Sequence, residues 1–404
     1  MSSAFVISIV IVWNIRHPIE HFVKYTHFSY IIMEIMATNS PNKTVIVAMS
    51  GGVDSSVAAA LLVEQGYNVI GVTMKTYSFD EVGGNIGNET SCCGLDAFND
   101  ARIVAVKLGI PHYVVDFTAE FSEYVVDNFV DEYLKGRTPN PCVICNKAIK
   151  WGALLRKADA LGASHIATGH YARIEQDPAS GRCVIRRPRD ANKDQTYALW
   201  GLDQNALTRT MFPLGELSKP EVRELAARHG LKTAYKEESF EICFVADNDY
   251  RRFIAERKPE FGRNLEGGAV LLDGKRVGTH AGFPNFTIGQ RSGLGAFGER
   301  MYVTGIEPST NSISIGKWDN LFRSKLVAKN MNLISGGTLP EGFRVHAQVR
   351  YKDTPEPASL SASTDGTVRV TFDQPKRAIT PGQSIVLYDG DILLGGGIID
   401  SVIE

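Results

Sequence analysis

The sequence predicts an α/β protein with an N-terminal parallel-sheet domain, a small central domain and a C-terminal β-barrel. Three observations support this prediction. Apolar strand-like runs alternate with helical patterns from Lys43 to about Gly169. A region of different texture, with a helix that opens at Ser218, follows after about residue 205. From about Gly267 onward, short alternating segments lie between Gly, Asn and Asp turns, which is typical of a β-barrel.

The N-terminal domain is predicted from strands that alternate with helices. Alternation at this spacing indicates parallel strands with right-handed connections, and ligands then bind at the carboxyl ends of the strands. In chain order, the pattern is the strand VIVAM with the helix 54–64, NVIGVTM with 97–108, HYVVDF with 118–134, and the helix 144–161 before the strand HIATG.

The central and C-terminal domains are predicted from capping and turn signals. Ser218 and Glu221 form a capping-box pattern that opens a helix, and Gly230 can close it. The DG pair at 273–274 and YDGD at 388–391 indicate hairpins. We therefore expect three domains, which are residues 43–205, 206–308 and 309–404.

Bulk composition excludes several classes of protein. The chain has 404 residues, 44% of them hydrophobic and 22% charged, which is ordinary globular composition. A net charge of -2 gives no global basic field for nucleic acid, although a local basic face is compatible with it. Six cysteines are too few for a disulfide scaffold, so a reducing cytoplasmic location is expected.

Residues 1–42 form an extra N-terminal segment outside the predicted fold. An apolar run of ten residues, Ala4 to Trp13, is short for a membrane-spanning helix, which needs about 20 residues. No Lys or Arg precedes the run, so it is not typical of a signal peptide. We interpret the segment as disordered or untranslated, with Met33 and Met36 as later start sites. A membrane or organelle-targeting role is the alternative.

A glycine-rich loop follows the first strand. It reads SGGVDSS, residues 50–56, and a helix follows at once. Gly51 and Gly52 permit a tight turn and a close approach of the backbone to a ligand. The loop amides and the positive end of the helix suit a phosphate, and three serines add hydroxyl donors. The loop lacks the lysine of a Walker-type loop. An ordinary glycine turn is the simpler alternative.

This loop resembles the signature of the ATP pyrophosphatase superfamily, whose members cleave ATP between the α- and β-phosphates and adenylate a substrate oxygen. The motifs TPNPCVICNKAIKW, ATGHYAR, KDQTYAL, EICFV and FTIGQRSGLG resemble, in this order, the tRNA-specific 2-thiouridylase (MnmA) family. That family installs sulfur at C2 of the wobble uridine, position 34 of tRNA. The resemblance implies that residues 43–205 are an adenine-nucleotide hydrolase-like catalytic domain. It also implies that residues 206–308 contact tRNA and bring Cys243 to the active site.

The resemblance assigns residues to three sites. ATP would be bound by Ala48, Met49, Ser50, Gly51, Gly52, Val53, Asp54, Ser55, Met74 and Gly169, and Asp54 would also place magnesium. The tRNA, of the Lys, Glu and Gln types, would be contacted by Asn140, Pro141, Cys142, Lys193, Asp194, Gln195, Arg350 and Tyr351. The catalytic residues would be Cys145 as the nucleophile and Cys243 as the persulfide carrier, which a sulfur-donor relay protein loads.

The cysteines suit this chemistry on physical grounds. A thiolate is the reacting species, and a low thiol pKa needs a helix N-terminus or nearby cations. Cys145 precedes Lys147 and Lys150 at the start of a helical pattern. The resemblance implies that ATP adenylates the uridine C2 oxygen, that sulfur from Cys243 replaces AMP, and that a Cys145–Cys243 disulfide remains.

The sequence departs from the family at Cys142, where many members have an aspartate that is a proposed acid/base residue. Cys142, Cys145 and Cys243 are therefore a possible ligand set for an iron–sulfur cluster, which is the alternative to the persulfide relay. An amide-forming ligase of the same superfamily would leave ICNK and the barrel unexplained. A non-enzymatic tRNA-binding or redox protein would leave SGGVDSS unexplained.

Several other residues receive mainly structural interpretations. Cys92 and Cys93 are expected in a loop, Cys183 in packing, and His170 in a structural or adenosine-side position. The basic stretch RRPRD, 186–190, is either a solvated hairpin face or an RNA contact. The segment 286–295 is expected to be a flexible connection that becomes ordered with tRNA.

Overall fold

The architecture comes from a computed structural model. It describes residues 44–77, 95–237, 242–245, 247–259, 267–334, 336–337, 340–363 and 365–403. Residues 42–404 make up one unit by their contacts. The predicted N-terminal segment and the Cys92–Cys93 pair lie outside the described residues.

Strands are numbered in chain order. They are β1 (Thr44–Ala48), β2 (Asn68–Lys75), β3 (His112–Asp116), β4 (His165–Ala167), β5 (Arg173–Gln176), β6 (Cys183–Arg186), β7 (Thr210–Met211), β8 (Gly268–Leu272), β9 (Lys275–His280), β10 (Tyr302–Glu307), β11 (Ser312–Gly316), β12 (Phe322–Leu333), β13 (Phe343–Gln348), β14 (Glu356–Ala362), β15 (Val368–Arg377), β16 (Ser384–Asp389) and β17 (Ile392–Ile403).

Helices are numbered in the same way. They are α1 (Val53–Glu64), α2 (Leu95–Leu108), α3 (Thr118–Phe121), α4 (Asp127–Leu134), α5 (Pro141–Ile144), α6 (Leu154–Ala160), α7 (Gln204–Thr208), α8 (Lys219–Arg228) and α9 (Tyr250–Arg257). Two π-helical segments, Ser122–Val126 and Cys145–Ala153, connect α3 to α4 and α5 to α6.

The N-terminal part is a five-stranded parallel sheet with the order β3-β2-β1-β4-β7. Every residue of β1 is buried, which explains why its sequence is a continuous apolar run and does not alternate. The chain moves outward from β1 through β2 to β3 and then continues with β4 on the other side of β1. Because the strand order reverses there, the crevice beyond the carboxyl ends of β1 and β4 is the expected ligand site.

The helix that carries Cys142 and Cys145 runs without a break through α5, the second π-helical segment and α6. Asn140 caps it, because its Oδ1 accepts a hydrogen bond from the Val143 amide at 3.4 Å. Pro141 lies in the first turn, where backbone N–H groups have no partner within the helix, so the N–H that proline lacks costs no hydrogen bond. The helix therefore begins before the predicted residue 144, since Asn-Pro is itself a start signal.

The central part is a four-stranded sheet with the order β10-β11-β8-β9. The predicted DG hairpin joins β8 to β9, with positive φ angles of 49° at Asp273 and 76° at Gly274. The predicted capping box also forms, because the Ser218 amide donates to the Glu221 carboxylate at 2.7 Å. Gly230, with φ of 59°, follows the end of α8.

The C-terminal part is a closed β-barrel. The sheet order is β12-β15-β14-β13-β16-β17-β6-β5, and β12 also pairs with β17. This second pairing closes a ring of strands from β12 to β17, and β6 and β5 extend the sheet from β17. The barrel interior contains Leu326, Val345, Val370, Ile385 and Ile399.

The predicted fold class is confirmed in all three parts. The chain crosses between the parts more than once, because β5 and β6 join the barrel sheet before β7 returns to the parallel sheet. The domain boundaries at residues 205 and 308 stay predictions. Among the described residues, no helix has the length and apolar character needed to cross a membrane.

Candidate functional site

The loop 50–56 is shaped by its own serines. Ser56 is buried, and its Oγ donates to the Gly52 carbonyl at 2.8 Å. The Ser55 hydroxyl donates to the same carbonyl at 3.2 Å and accepts from the Ser50 amide at 3.2 Å. Ser50 itself is exposed. The hydroxyls of Ser55 and Ser56 therefore fix the turn, and Ser50 stands at its open side.

Two glycines bring neighbouring elements against this loop. Gly51 has φ of 70°, and a Cβ there would collide with the carbonyl oxygen of Ala97 at the start of α2. Gly169, just beyond β4, lies so close that a Cβ would be 2.7 Å from the Ser55 amide nitrogen and from the Asp54 carbonyl carbon. Only glycine fits at either position, so the carboxyl ends of β1 and β4 meet at the loop 50–56.

Asp54, in the first turn of α1, is the centre of a polar cluster. Its carboxylate accepts from the Lys219 ammonium at 2.7 and 2.9 Å. It also accepts from the Tyr171 hydroxyl at 2.8 Å. Lys219 is only 7% exposed, and its backbone amide donates to Asp190 at 2.9 Å. A carboxylate beside this glycine loop is a suitable ligand for a hard divalent cation.

Lys219 is a site residue that the sequence analysis did not identify. It lies 165 positions from Asp54, so no local pattern connects them. A signal was nevertheless present, because Lys219 is the first residue of α8. A cation is unfavourable at the positive end of a helix, so a lysine there needs an acidic partner elsewhere.

Cys142 and Cys145 occupy successive turns of one helix. Cys142 is exposed in the first turn, and Cys145 is partly buried where the π-helical segment begins. The field of a helix end falls off within the first turn, so it acts more on Cys142 than on Cys145. A π-helical turn is itself frequent at functional sites.

His170 follows Gly169 and is buried beside the cysteine helix. Its Nε2 is 3.4 Å from the Lys150 ammonium, and its Nδ1 is 2.7 Å from the Thr168 hydroxyl. Burial first, and the Lys150 charge second, hold the pKa of His170 well below 6.5. The imidazole is therefore neutral, with Nε2 accepting from Lys150. Its ring packs against Trp151 and Phe212, in keeping with the structural interpretation.

We expect His170 to make the fold less stable in mild acid. Its folded pKa is below the ordinary 6.5, so the unfolded chain binds more protons as pH falls below that value. Stability should fall below about pH 6.5 and should not depend on this group above it. The variant His170→Gln should flatten that dependence, by up to about 1.4 kcal/mol per pH unit.

The measurement for His170 is the urea unfolding midpoint across about pH 5 to pH 8. Three other buried or partly buried histidines, His112, His165 and His280, also have lowered pKa values, so the difference between variant and wild type is what counts. The matched control is His346→Gln at an exposed position. Equal acid dependence in His170→Gln and wild type would contradict the prediction.

Cys243 lies in a short turn, residues 242–245, and is partly buried. The adjacent Phe244 anchors this turn in an aromatic cluster. Its ring centroid lies 5.7, 5.2 and 5.3 Å from those of Phe121, Phe129 and Phe253. The π-helical segment 122–126 follows Phe121 and packs against the cysteine helix. The helical run 118–134 is therefore the common support of both cysteine segments.

The three cysteines do not form a metal centre in this arrangement. Within the described ranges, no group of three or more His, Cys, Asp or Glu side chains is arranged to hold a metal ion. As placed, Cys142, Cys145 and Cys243 are not grouped as a ligand set, and the iron–sulfur cluster stays a prediction.

Two of the residues proposed to contact tRNA already bind within the protein. The Asp194 carboxylate accepts from the Thr196 amide at 2.9 Å and from its hydroxyl at 2.6 Å. The Gln195 side chain accepts from the Tyr171 amide at 2.9 Å. The motif KDQTYAL thus braces the segment that carries Tyr171, whose hydroxyl binds Asp54.

Arg350 and Tyr351 differ in their exposure. The Arg350 guanidinium donates to the Ala378 carbonyl, to the Ile288 carbonyl at 3.3 Å and to the Thr380 hydroxyl at 3.1 Å. Tyr351 is 44% exposed, and its ring lies 6.1 Å from that of the buried Tyr197. Tyr351 is thus the member of this pair that can stack on a base.

The basic stretch 186–190 is neutralised by acidic neighbours. Arg186 pairs with Glu175 and with Asp391, each at 2.6 Å. The other pairs are Arg187 with Asp194 and Arg189 with Glu221. This pairing favours the hairpin-face interpretation over an RNA contact.

Models of known protein families match three successive segments of this chain. Residues 43–247 match the family model described as tRNA methyl transferase HUP domain, 252–317 its PRC-barrel domain, and 323–399 an aminomethyltransferase beta-barrel domain.

Curated relatives cover most of the chain. A tRNA-specific 2-thiouridylase MnmA of Salinibacter ruber is 50% identical over 361 residues, which is 89% of this chain and 94% of the relative. The MnmA proteins of Clostridioides difficile and Carboxydothermus hydrogenoformans are 48% and 50% identical, each over 89% of this chain and 98% of the relative. With half of its residues shared along nearly the whole fold, the chain belongs to the tRNA-specific 2-thiouridylase MnmA family.

Proposed function

We propose that this chain catalyses the ATP-dependent 2-thiolation of uridine 34 in tRNA, forming AMP and pyrophosphate. One observation carries the proposal. A phosphate loop with a paired aspartate, Asp54, occurs in one unit with two cysteine segments on a common helical support. An amide-forming ligase needs only the loop, and a redox protein needs only the cysteines. A methyl transferase, as in the family description, needs neither ATP cleavage nor a persulfide.

The first step is the activation of the uridine. The amides of residues 50–55 and the positive end of α1 bind the pyrophosphate portion of ATP. Met74 and Gly169 line the adenosine side, and Asp54 would hold magnesium together with phosphate oxygens. Magnesium supplies charge neutralisation on the departing pyrophosphate. The uridine C2 oxygen attacks the α-phosphorus, and pyrophosphate leaves.

The second step replaces oxygen with sulfur. The outer sulfur of a Cys243 persulfide bonds to C2, and AMP leaves with the oxygen. The Cys145 thiolate then attacks the Cys243 sulfur and breaks the bond to the transferred sulfur. That sulfur is reduced to the 2-thio group, while the two thiols are oxidised to a disulfide. An external thiol must then reduce the disulfide back to the two cysteine thiols before the next turnover.

The tRNA partner must present its base out of the stack, because the reacting C2 is otherwise inaccessible. We propose that Asn140, Pro141 and Cys142 lie against that base and that Tyr351 stacks on a neighbouring nucleotide. Lys193, Asp194, Gln195 and Arg350 complete the proposed contacts. The proposed substrates are the tRNAs for Lys, Glu and Gln. A sulfur-donor relay protein loads Cys243, and the reaction takes place in the cytoplasm.

We expect Lys219 to be needed for the first step. In Lys219→Met, Asp54 loses its charge-assisted hydrogen bonds, and pyrophosphate release should slow on the order of 10- to 100-fold. Lys219→Arg keeps the charge and should recover part of the rate. The matched control is Lys236→Met, because Lys236 forms a similar ion pair of 2.5 Å, but with Asp100 and not with Asp54. An equal loss of rate in both methionine variants would contradict a specific role.

The function is tested by reconstitution without air. The protein is incubated with ATP, magnesium, unmodified tRNA and polysulfide, which supplies sulfur at the oxidation level of a persulfide, with and without pretreatment by an iron chelator. The digested tRNA is analysed by mass spectrometry, which separates sulfur in place of oxygen from an added methyl group. Product in both samples supports the relay, whereas product lost only after chelation supports the cluster. No product, even with a sulfur-donor system supplied, would overturn the proposal.

A further inference from the structure

We propose that a turn of the C-terminal barrel positions the loop that leads into the cysteine helix. The barrel turn is residues 380–383, and the base loop is residues 137–140. In this arrangement Gln383 is a positioning residue for thiolation, although it belongs to a different sheet from the phosphate loop. The inference rests on the proposed function, but part of its test does not.

The middle of the base loop, Thr138 and Pro139, makes its backbone hydrogen bonds with the barrel turn. The Gln383 side-chain amide donates to the carbonyls of Thr138 and Pro139, both at 3.0 Å. The Thr138 amide donates to the Pro381 carbonyl at 2.9 Å. Gly382 packs so closely that a Cβ would lie 2.8 Å from the Thr138 carbonyl oxygen. Proline has no N–H, so the backbone polar groups of Thr138 and Pro139 are all satisfied by the turn.

The barrel turn is itself held on both sides. Arg350 binds the Thr380 hydroxyl at 3.1 Å and the Ala378 carbonyl, and its contact with Ile288 reaches the central part. Within the barrel, the Gly382 amide donates to the Ile399 carbonyl at 2.9 Å. These other contacts fix the barrel turn. The position of the turn therefore determines the position of the base loop.

A second set of contacts fixes the base loop on its other sides. Arg137 donates to the carbonyls of Ile399 at 3.0 Å and Asp400 at 2.9 Å, both in β17. The Thr138 hydroxyl donates to the Thr287 hydroxyl of the central part at 3.1 Å. The loop is thus placed at a junction of all three parts of the fold.

The position of the base loop sets the start of the cysteine helix. Asn140, directly after Pro139, caps this helix, and Cys142 and Cys145 follow within its first two turns. A shift at Thr138 would therefore move the cap and the two thiols together. A misplacement of about 1 Å at reacting groups costs on the order of 100-fold in rate.

The variant Gln383→Glu tests this directly. It keeps the shape of the side chain but replaces two N–H donors with a carboxylate that faces two carbonyl oxygens. The matched control is Gln204→Glu, because the Gln204 amide also bridges two carbonyls, those of Cys183 and Ile334, each at 2.8 Å. Both variants remove a bridging amide, and only the first contacts the base loop.

The first readout is hydrogen exchange by mass spectrometry in the free protein. Peptides that cover residues 138–145 should exchange about tenfold faster in Gln383→Glu, because two hydrogen bonds that hold the loop are lost. They should be unchanged in Gln204→Glu. Wild-type exchange of this segment in Gln383→Glu would overturn the proposal, whatever the activity.

The second readout is the split between kcat and tRNA binding. Gln383→Glu should lower kcat for thiolation about 10- to 100-fold and leave the tRNA Kd unchanged. Weaker tRNA binding with an unchanged kcat would mean that Gln383 contacts RNA directly, which overturns a positioning role. Equal losses of kcat in both glutamate variants would mean a general effect on the barrel and would also overturn the positioning role.

The failure of the proposed function is distinguishable from the failure of this inference. If the wild-type protein forms no thiolated product, the proposed function is refuted, and the exchange result still decides whether Gln383 positions the base loop.

Discussion

Cys243→Ser should abolish thiolation while pyrophosphate release continues. A serine hydroxyl cannot carry a sulfane sulfur, so the second step loses its donor, and the product should fall on the order of 10³-fold or more. The Asp54 cluster and the phosphate loop are untouched, so the first step should proceed. Thiolated nucleoside and pyrophosphate are measured in the same reaction.

The matched control for this variant is Cys183→Ser. Cys183 is also partly buried, but it lies in β6 of the barrel sheet, where its backbone pairs with Gln176. The variant Cys183→Ser should thiolate tRNA at the wild-type rate. In Cys145→Ser the adduct in which Cys243 is joined through the transferred sulfur to C2 of the uridine should accumulate, because no thiolate breaks the bond between the two sulfurs, and it should be visible in the mass of the peptide. Normal thiolation by Cys243→Ser would refute both the persulfide and the cluster assignments.

Asp54→Asn should stop the first step. The amide keeps the size of the side chain but loses the charge that faces Lys219 and that would hold magnesium, so pyrophosphate release should fall on the order of 100-fold or more. The buried ammonium of Lys219 is left without this carboxylate, which should also destabilise the fold by about 1–3 kcal/mol. Rate and urea unfolding are therefore measured together.

Asp100→Asn is the control for Asp54→Asn, since Asp100 pairs with Lys236 in a similar, partly buried ion pair. It should reproduce part of the loss of stability and none of the loss of rate. Retained pyrophosphate release by folded Asp54→Asn would show that the loop 50–56 does not bind ATP in the proposed way.

Local signals were sufficient to predict most of the fold. The strands β1 and β2 were predictable because buried parallel strands are continuous apolar runs. The hairpin at 273–274 was predictable because Asp-Gly favours the two positive φ angles that the turn uses. The membership of β5 and β6 in the barrel sheet was not predictable, since Ile392 pairs with Arg186 across a long sequence separation.

Only the residues within sequence motifs of the candidate site were predictable from the sequence. The residues of the phosphate loop and the cysteines were identified by their order along the chain. Their supporting partners were not, because Lys219 and Gln383 lie 165 and 245 positions from the residues that they hold. A long-range hydrogen bond produces no recognisable pattern in the sequence. The exception is a residue that is unfavourable in its local structure, as Lys219 is at the start of a helix.

The contacts between the base loop and β17 have a consequence for the timing of synthesis. They join residues as far as 263 positions apart, so the ribosome must add the barrel strands before the loop can take its final place. The elements that build the phosphate loop emerge much earlier, and β1, β2 and α1 are close in the chain. A nascent chain halted before residue 381 would therefore lack the contacts of Thr138 and Pro139 with the barrel turn and those of Arg137 with β17. The cysteine helix therefore gains this support only in the last stage of synthesis, after the strands that complete the barrel have been added.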